Sequence, residues 1–235
     1  MALQSAWLIT AKTNLHVGNE NTSNYGLIDK AVQRDVLTGL PCINGSSLKG
    51  AINEYCTQVA KLGEDVRKRI FGVDKVNKKS ETQKGAYTFF DASILLLPVQ
   101  DDSNLYHWVT TTSIIKRFKE RLDLFGVNIQ GITDEDSLLV KIKAQFNTRD
   151  ISLISDTELT TLCSDTELPI IARNRLEDGQ SVNLWYEQVL PSETVFYTLM
   201  LSDDDKLSKA LKDKIIQVGA NATIGYGYCR FTEIL

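Results

Sequence analysis

The fold of this chain is decided in residues 15–50, LHVGNENTSNYGLIDKAVQRDVLTGLPCINGSSLKG. The apolar alternation from Trp7 to Val17 predicts a first β-strand that runs into this stretch. Residues 18–26 are rich in Asn, Thr, Ser and Gly, which is typical of a surface loop. After a Gly-Ser-Ser turn, with Ser46 or Ser47 as the expected N-cap, Leu48–Leu62 has the three-and-four spacing of an amphipathic helix. Strand, polar loop and helix therefore open an α+β chain.

The remaining sequence continues this alternation of strands and helices. Apolar periodicity predicts a strand over Ala86–Val99, a helix over Ser113–Phe125, a hairpin within Ile170–Trp185 with its tip at Leu176–Gly179, a strand over Glu193–Leu201, a helix over Ser202–Val218 and a last strand over Tyr228–Ile234. Without its loops the order is βαββαβ, which predicts one antiparallel sheet backed by helices. We expect a single domain over residues 1–235, with insertions at about 63–85 and 126–168.

Composition and charge exclude several classes of protein. The 235 residues are 43% hydrophobic and carry a net charge of −4, as in an ordinary soluble protein and unlike a free-standing nucleic-acid binder. No apolar run reaches the length of a membrane span and no signal-peptide pattern occurs, so we expect a cytoplasmic protein without a membrane partner. The four cysteines form no CxxC pair, which argues against structural zinc. Residues 61–84 are basic and 150–178 acidic, marking either two binding faces or two solvated ones.

Two side chains of the opening stretch have chemistry suited to catalysis. His16 ends the first strand, and its imidazole can exchange protons near neutral pH; the alternative is a histidine packed in the core. Asp29 follows the polar loop, where its carboxylate could bind Mg²⁺ or accept a proton beside a reacting phosphate. The alternative for Asp29 is a solvated loop carboxylate or a cap. One carboxylate and one imidazole do not decide between these interpretations.

The turn Gly45–Gly50 has the features of an anion-binding helix N-terminus. Ser46 and Ser47 supply amide N–H groups and hydroxyls there, and Lys49 adds a cation in the first turn, where the helix dipole does not favour one. The GxxxxGK[ST] pattern of a P-loop is absent. A plain helix cap explains the serines but not the lysine, so the pattern favours phosphate binding.

Two further segments have features of nucleic-acid binding. Gly219–Gly227, which we call the glycine loop, includes Gly225 and Gly227, and Tyr226 and Tyr228 could stack on bases. The alternative is a tight connection with packed tyrosines. Arg173 and Arg175 occupy alternate positions of a predicted strand, so they share one face. Such a pair suits a phosphate backbone, and solvated edge-strand charges are the alternative.

Six motifs occur in a characteristic order along nearly the whole chain. They are LHVG (15–18), GLIDKAVQR (26–34), TGLPCINGSSLKG (38–50), FFDASILLLPV (89–99), LWYEQVLPSETVFY (184–197) and GANATIGYGYC (219–229). Each motif is degenerate, but the ordered set resembles the RAMP superfamily of CRISPR proteins. Within it, the chain resembles the repeated backbone subunit of type III-B (Cmr) effector complexes, which cuts target RNA. The equivalent type III-A (Csm) subunit shares the first and last motifs.

The resemblance implies a fold and a set of partners. We expect a modified ferredoxin- or RRM-like palm with finger insertions and a protruding thumb hairpin at about Ile171–Leu184. Copies would stack head to tail on guide CRISPR RNA, together with other Cmr subunits, and pair the guide with single-stranded target RNA. Each thumb would interrupt the guide–target duplex, and the target would be cut at regular six-nucleotide intervals. Flipping a nucleotide out of an A-form helix frees its backbone for in-line attack by the 2′-OH.

The resemblance also carries roles onto individual residues. Asp29 corresponds to the catalytic loop aspartate and the expected ligand of Mg²⁺ or another divalent cation, and His16 to the histidine near it. RNA binding is expected at Ser46, Ser47, Lys49, Arg34, Arg173, Arg175, Gly225 and Gly227. Asp91 and Glu187 are acidic residues to be tested.

The sequence departs from the family pattern in two places. The region between residues 125 and 170 is short for a Cmr subunit, and the glycine loop has Gly-Ala-Asn-Ala-Thr where a double glycine before an acidic residue is common. The principal alternative is a non-catalytic guide-binding filament subunit, and another is a generic RNA-binding domain. The acid before Val32 favours the catalytic hypothesis.

Overall fold

The computed structural model describes residues 3–18, 28–73, 83–147 and 151–234. Its strands are β1 (Leu3–Ala11), β2 (Cys42–Ile43), β3 (Gly72–Val73), β4 (Gln83–Lys84), β5 (Thr88–Phe89), β6 (Ala92–Val99), β7 (His107–Thr110), β8 (Ile151–Leu153), β9 (Ile170–Glu177), β10 (Gln180–Gln188), β11 (Val195–Ser202), β12 (Lys214–Gln217) and β13 (Tyr228–Ile234). Its helices are α1 (Gly45–Gln58), α2 (Glu64–Phe71), α3 (Thr112–Leu124), α4 (Glu135–Gln145), α5 (Asp156–Leu162) and α6 (Lys206–Leu211). Residues 19–26 of the predicted polar loop and 74–82 of the basic stretch lie outside the described residues.

One central sheet organises the fold. Its strand order is β12-β13-β1-β11-β6-β7-β8, with β2 paired to β6 and β5 to β11. All of these pairs are antiparallel except β7–β8. Four of these strands form the core of the fold, and in chain order they are β1, β6, β11 and β13. In the sheet they lie side by side in the order β13-β1-β11-β6, with α1 following β1 and α6 following β11 in the chain. The predicted ferredoxin-like βαββαβ palm is therefore confirmed.

The core is built on the two central strands. Ala6–Ile9 of β1 is wholly buried, as expected for a strand covered on both faces. Leu48, Ile52 and Cys56 of α1 are buried at the predicted helical spacing. On α3, Phe118 stacks on Tyr197 of β11 with the ring centroids 4.1 Å apart. None of the described helices combines the length and the apolar character needed to cross a membrane.

Helix α1 begins earlier than the sequence predicts. Asn44 is its N-cap residue, so the prediction that Ser46 or Ser47 caps it was wrong. The reason lies in a distant carboxylate: Asp91 Oδ1 accepts a hydrogen bond from the Gly45 N–H at 2.6 Å. That bond satisfies one of the orphan amides of the first turn, so a serine is not needed for it.

The prediction of a helix over Ser202–Val218 was right about the presence of a helix and wrong about its extent. Ser202 ends β11, the helix is confined to α6, and Lys214–Gln217 forms β12 on β13. Asp213 adopts a left-handed conformation with φ 58° between the two elements, which breaks a helix. Ile215 and Ile216 then favour a strand because they are β-branched. Apolar spacing alone does not separate these alternatives.

The two predicted insertions have structure of their own. The first contains α2 and the short β3–β4 pair. The second contains α4, β8 and α5, and Leu138 and Ile142 of α4 are buried in the core. Since β8 pairs with β7, the second insertion extends the central sheet.

All four cysteines are buried and free. Burial raises the pKa of Cys42 and Cys56 to about 11 and that of Cys163 and Cys229 to about 12. Because only thiolates react readily, a thiol reagent at pH 8 is expected to label the native protein negligibly and to label four thiols after guanidinium unfolding. Fast labelling of the native protein would show that a cysteine is exposed, and would contradict this packing.

Candidate functional site

A β-hairpin formed by β9 and β10 stands apart from the central sheet. We call it the thumb hairpin. Its strands pair from Ile170–Gln188 to Glu177–Gln180, and Asp178 and Gly179 form the turn with φ 49° and 81°. Positive φ at both central positions is the type I′ geometry that Asp-Gly favours in two-residue hairpins. The predicted hairpin and its tip are confirmed.

Asp29 is held against the base of the thumb hairpin. The N–H groups of Asp29 and Lys30 donate to the Tyr186 carbonyl at 3.0 and 3.1 Å. The Tyr186 N–H donates in return to Asp29 Oδ2 at 2.7 Å. Asp29 is nonetheless exposed to solvent. The carboxylate is therefore oriented by the thumb strand while remaining accessible to a ligand.

The chain after Asp29 joins the thumb hairpin to the palm. The Val32 N–H donates to Gln188 Oε1 at 3.1 Å, on the strand that also holds Asp29. The Gln33 N–H donates to the Val17 carbonyl at 2.8 Å, and Gln33 Oε1 accepts from the Asn44 N–H at 2.8 Å. The Asp29 segment is thus connected by hydrogen bonds both to β10 and to the start of α1.

Arg34, predicted to bind RNA, has partners within the chain. Its guanidinium donates to the Gly39 carbonyl at 3.0 Å, the Cys163 carbonyl at 2.7 Å and Asp165 Oδ1 at 2.7 Å. Asp165 also accepts from Gln188 Nε2 at 3.2 Å. Arg34 therefore ties the segment after Asp29 to the second insertion.

His16 lies in a buried polar cluster and not on the surface. Its side chain is 3% exposed, and Nδ1 lies 2.7 Å from the Gln188 carbonyl. Since a carbonyl only accepts, Nδ1 carries a proton. Nε2 lies 3.5 Å from Glu187 Oε1. The structure thus brings His16 and Asp29 to neighbouring residues of β10, with His16 in the interior.

Glu187 is the centre of this cluster. Its side chain is 2% exposed, and Oε2 accepts from Arg173 Nε at 3.0 Å and from Asn221 Nδ2 at 2.8 Å. The Arg173 guanidinium also lies 4.7 Å from the Tyr226 ring centroid. We call His16, Arg173, Glu187, Asn221 and Tyr226 the Glu187 network. A buried carboxylate needs such partners, because an unpaired one would carry a large desolvation cost.

The predicted arginine pair shares one face but has two environments. Arg173 lies opposite Trp185 at the base of the thumb hairpin, with its side chain 19% exposed. Arg175 lies nearer the tip, is 67% exposed and pairs with Glu177 at 2.6 Å. Arg175 is consequently accessible to a phosphate, whereas Arg173 is engaged in the Glu187 network.

The predicted anion-binding turn is exposed at the start of α1. Ser46 and Lys49 are exposed and Ser47 is half-buried. In an α-helix the first amides lack intrahelical partners, so those of Ser46 and Ser47 face the turn. The Gly45 N–H is hydrogen-bonded to Asp91, so fewer backbone N–H groups are available to bind an anion than the sequence suggests.

The glycine loop lies directly against the end of the first-strand segment. Ala220 N–H donates to the His16 carbonyl at 2.9 Å, and Gly227 N–H donates to the Asn14 carbonyl at 2.9 Å. Gly225 and Gly227 have φ of 83° and 78°. A Cβ on Gly225 would meet open space, whereas one on Gly227 would lie 2.0 Å from the Val218 carbonyl oxygen. Gly227 is therefore required by backbone packing.

The residues that sequence reasoning missed are Asn221 and Gln188, which contact Glu187 or the Asp29 segment. The sequence signal for Asn221 is its position in the glycine loop. Apart from glycine, Asn is among the residues that most readily adopt a left-handed conformation, and Asn221 has φ 66°. Gln188 had no such signal. Its importance depends on contacts with residues 156 and 172 positions away.

A metal site built from protein ligands alone is absent from the described residues. They contain no group of three or more His, Cys, Asp or Glu side chains able to hold an ion. Glu187 is already committed to its network. Asp29 is a single exposed carboxylate, which fits an ion only if a substrate supplies further oxygen ligands.

Comparison with known proteins identifies the family. The RAMP superfamily profile matches residues 8–230, and the chain belongs to that superfamily. It is 30% identical to the CRISPR system Cmr endoribonuclease Cmr4 of Pyrococcus furiosus, over 88% of each chain. It is also 28% identical to the CRISPR system CMR subunit Cmr4 of Saccharolobus solfataricus, over 68% of this chain and 51% of that one. The predicted resemblance to the type III-B backbone subunit is confirmed.

Solved structures share the fold at lower identity. The crystal structure of oligomeric Cmr4 from Pyrococcus furiosus has a TM-score of 0.73 and 23% identity, over 98% of both chains. A chain of the type III-B Cmr-beta complex bound to cognate target RNA has a TM-score of 0.72 and 22% identity, over 99% of this chain and 97% of that chain. These matches show that the chain shares its overall fold with these structures.

Proposed function

We propose that this chain is the repeated backbone subunit of a type III-B CRISPR effector complex, and that it binds guide RNA and cleaves bound target RNA. The observation that carries the proposal is the position of Asp29, an exposed carboxylate oriented by the Tyr186 amide at the base of the thumb hairpin. Support also comes from the relative named Cmr endoribonuclease Cmr4, at 30% identity. The partners are guide CRISPR RNA, single-stranded target RNA, further copies of the chain and other Cmr subunits, all in the cytoplasm.

The thumb hairpin and Asp29 would act together on the target. Continuous A-form RNA holds each 2′-OH out of line with its own phosphate. A hairpin that interrupts the duplex frees one nucleotide to rotate into line, and much of the rate acceleration then comes from geometry. Because Asp29 is bonded to the same hairpin, the displaced nucleotide and the carboxylate would be brought together. Copies stacked at a fixed repeat would cut at six-nucleotide intervals.

Asp29 has two possible roles in this chemistry. As a general base it would accept the proton of the attacking 2′-OH. The 2′-oxygen would then bond to the phosphorus while the bond to the 5′-oxygen of the next nucleotide breaks, and that oxygen would take a proton from solvent. As a ligand it would share Mg²⁺ or another divalent cation with RNA phosphate oxygens, which is how Mg²⁺ commonly binds where only one or two carboxylates are present. The ion would neutralise charge that develops on the phosphate. We assign no separate chemical step to His16, because its imidazole is buried.

Lys49 supports the guide-binding part of the proposal. Its exposed ammonium at the start of α1 is expected to contact a guide phosphate. Lys49→Glu should weaken guide retention by roughly fivefold near physiological salt and reduce the slope of log affinity against log salt by about one. Filter binding over a salt series measures both quantities.

The matched control is Lys209→Glu on α6. Lys209 is 75% exposed and pairs with Asp205 one turn away. Lys209→Glu makes the same change in net charge as Lys49→Glu. Guide retention should then stay at the wild-type level. Equal weakening by the two variants would show a general charge effect and remove the phosphate contact from the proposal.

A further inference from the structure

Strand β10 carries two adjacent functional contacts. Tyr186 orients the Asp29 carboxylate through its backbone N–H, and the next residue, Glu187, is buried beneath the thumb hairpin. Successive side chains of a strand point to opposite faces. A shift of Glu187 would therefore move the Tyr186 amide as well, since the two belong to one short run of backbone.

The Glu187 carboxylate joins three segments that are separate in the sequence. Arg173 approaches it from β9, Asn221 from the glycine loop and His16 from the segment after β1. The Glu187 side chain is 2% exposed, so the hydrogen bonds that it accepts from Arg173 and Asn221 are stronger than the same bonds in water. Through Glu187, β10 is therefore in contact with β9, the glycine loop and the segment after β1 at the base of the thumb hairpin.

We infer that Asn221 is a positioning residue, which holds Glu187 from the glycine loop and thereby fixes the thumb hairpin and the Asp29 carboxylate. The inference rests on the proposed function. Asn221 touches no reacting atom in this scheme; it acts through Glu187, β10 and the Tyr186 amide. A movement of the glycine loop would then change the position of the Asp29 carboxylate.

A second contact from the same loop supports the inference. The Tyr226 ring lies under the Arg173 guanidinium at 4.7 Å, and the Tyr226 N–H donates to the Asn221 carbonyl at 3.2 Å. The loop therefore contacts both strands of the thumb hairpin, at Arg173 and at Glu187. Tyr226→Leu removes the ring face under Arg173 and with it the cation–π contact, and should lower the cleavage rate about threefold.

The left-handed backbone of Asn221 permits a sharp test. At φ 66°, Gly and Asp are both tolerated. Asn221→Gly removes the side-chain donor and keeps the conformation. Asn221→Asp keeps the size but sets a second carboxylate against Glu187, where two like charges repel. The control is Asn147, an exposed residue after α4 with φ 49°, changed in the same two ways.

The experiment measures single-turnover cleavage of matched target RNA by the assembled complex, together with target affinity. Asn221→Gly should lower the cleavage rate about tenfold and Asn221→Asp further, while target affinity stays within about twofold of wild type. Both Asn147 variants should cleave as wild type does. A fall in rate at constant affinity is the signature of positioning, because general destabilisation would lower both.

Four outcomes would overturn the inference. If both Asn221 variants cleave at the wild-type rate while an Asp29→Ala complex is inactive, Asn221 has no positioning role and the proposed function is unaffected. Equal losses in the Asn147 variants would assign the effect to the backbone conformation. A parallel loss of affinity and rate would assign it to stability. A wild-type complex that binds matched target without cutting it would overturn both the inference and the proposed function.

Discussion

Asp29→Asn should abolish cleavage of bound target RNA, lowering the single-turnover rate by about 10²–10⁴-fold, the range typical of a lost general acid–base group. Asn has nearly the same shape and its side-chain oxygen can still accept the Tyr186 N–H that now bonds to Asp29 Oδ2 at 2.7 Å. The loop should therefore keep its place, and only the charge is removed. Target affinity should stay close to wild type, because the thumb hairpin and the guide are unchanged.

The control for this prediction is Asp123→Asn on α3, where an exposed carboxylate pairs with Lys119. It removes the same charge outside the site and should leave the cleavage rate unaltered. A titration with Mg²⁺ adds a further observation, since a wild-type rate that requires the ion supports the shared-ligand role of Asp29. Full activity of Asp29→Asn at wild-type affinity would contradict the catalytic role of Asp29.

Gly227→Ala should destabilise the folded protein more than Gly225→Ala does. At φ 78° an alanine is strained by about 1–2 kcal/mol, and its Cβ would lie 2.0 Å from the Val218 carbonyl oxygen. The Val218 N–H donates to the Gly227 carbonyl at 2.8 Å, so the two backbones cannot separate without losing that bond. We expect the free energy of unfolding to fall by about 3 kcal/mol or more, which corresponds to a midpoint of thermal unfolding lower by roughly 10 °C.

Gly225→Ala separates strain from steric overlap. Gly225 has φ 83°, but its Cβ would meet no atom within 4 Å. Only the conformational cost of about 1 kcal/mol applies, which corresponds to about 2–4 °C in a chain of this size. Calorimetry of the two variants compares them directly. Similar midpoints would contradict the close approach of Gly227 to Val218.

The palm and the thumb hairpin were predictable because their signals are local. The apolar run Ala86–Val99, which the structure divides into β5 and β6, and the Asp178-Gly179 turn between β-prone segments are both local signals. The strand β12 was missed because its existence depends on pairing with β13, a tertiary contact that local spacing does not report. The start of α1 was misplaced for the same reason, since its first amide is satisfied by Asp91, which is 46 residues away.

The candidate site was predictable in part. Asp29 could be singled out from its loop and from the family pattern, whereas its bond to Tyr186 spans 157 residues and has no local signature. The Glu187 network likewise joins residues 14 and 34 positions apart, so Arg173 was assigned to RNA although the structure pairs it with a buried carboxylate. Residue chemistry suggested most of the participants but not Asn221 or Gln188, and only the tertiary structure showed how they contact one another.

The central claim is that Asp29 of each copy cuts the target beside its own thumb hairpin, and mapping of cleavage positions tests it most directly. End-labelled target RNA is bound to assembled complexes that contain the wild-type chain or Asp29→Asn, and the products are separated at single-nucleotide resolution. The proposal predicts cuts at regular six-nucleotide intervals with the wild-type chain and none with Asp29→Asn. Irregular cuts, or regular cuts that persist in the Asp29→Asn complex, would contradict it.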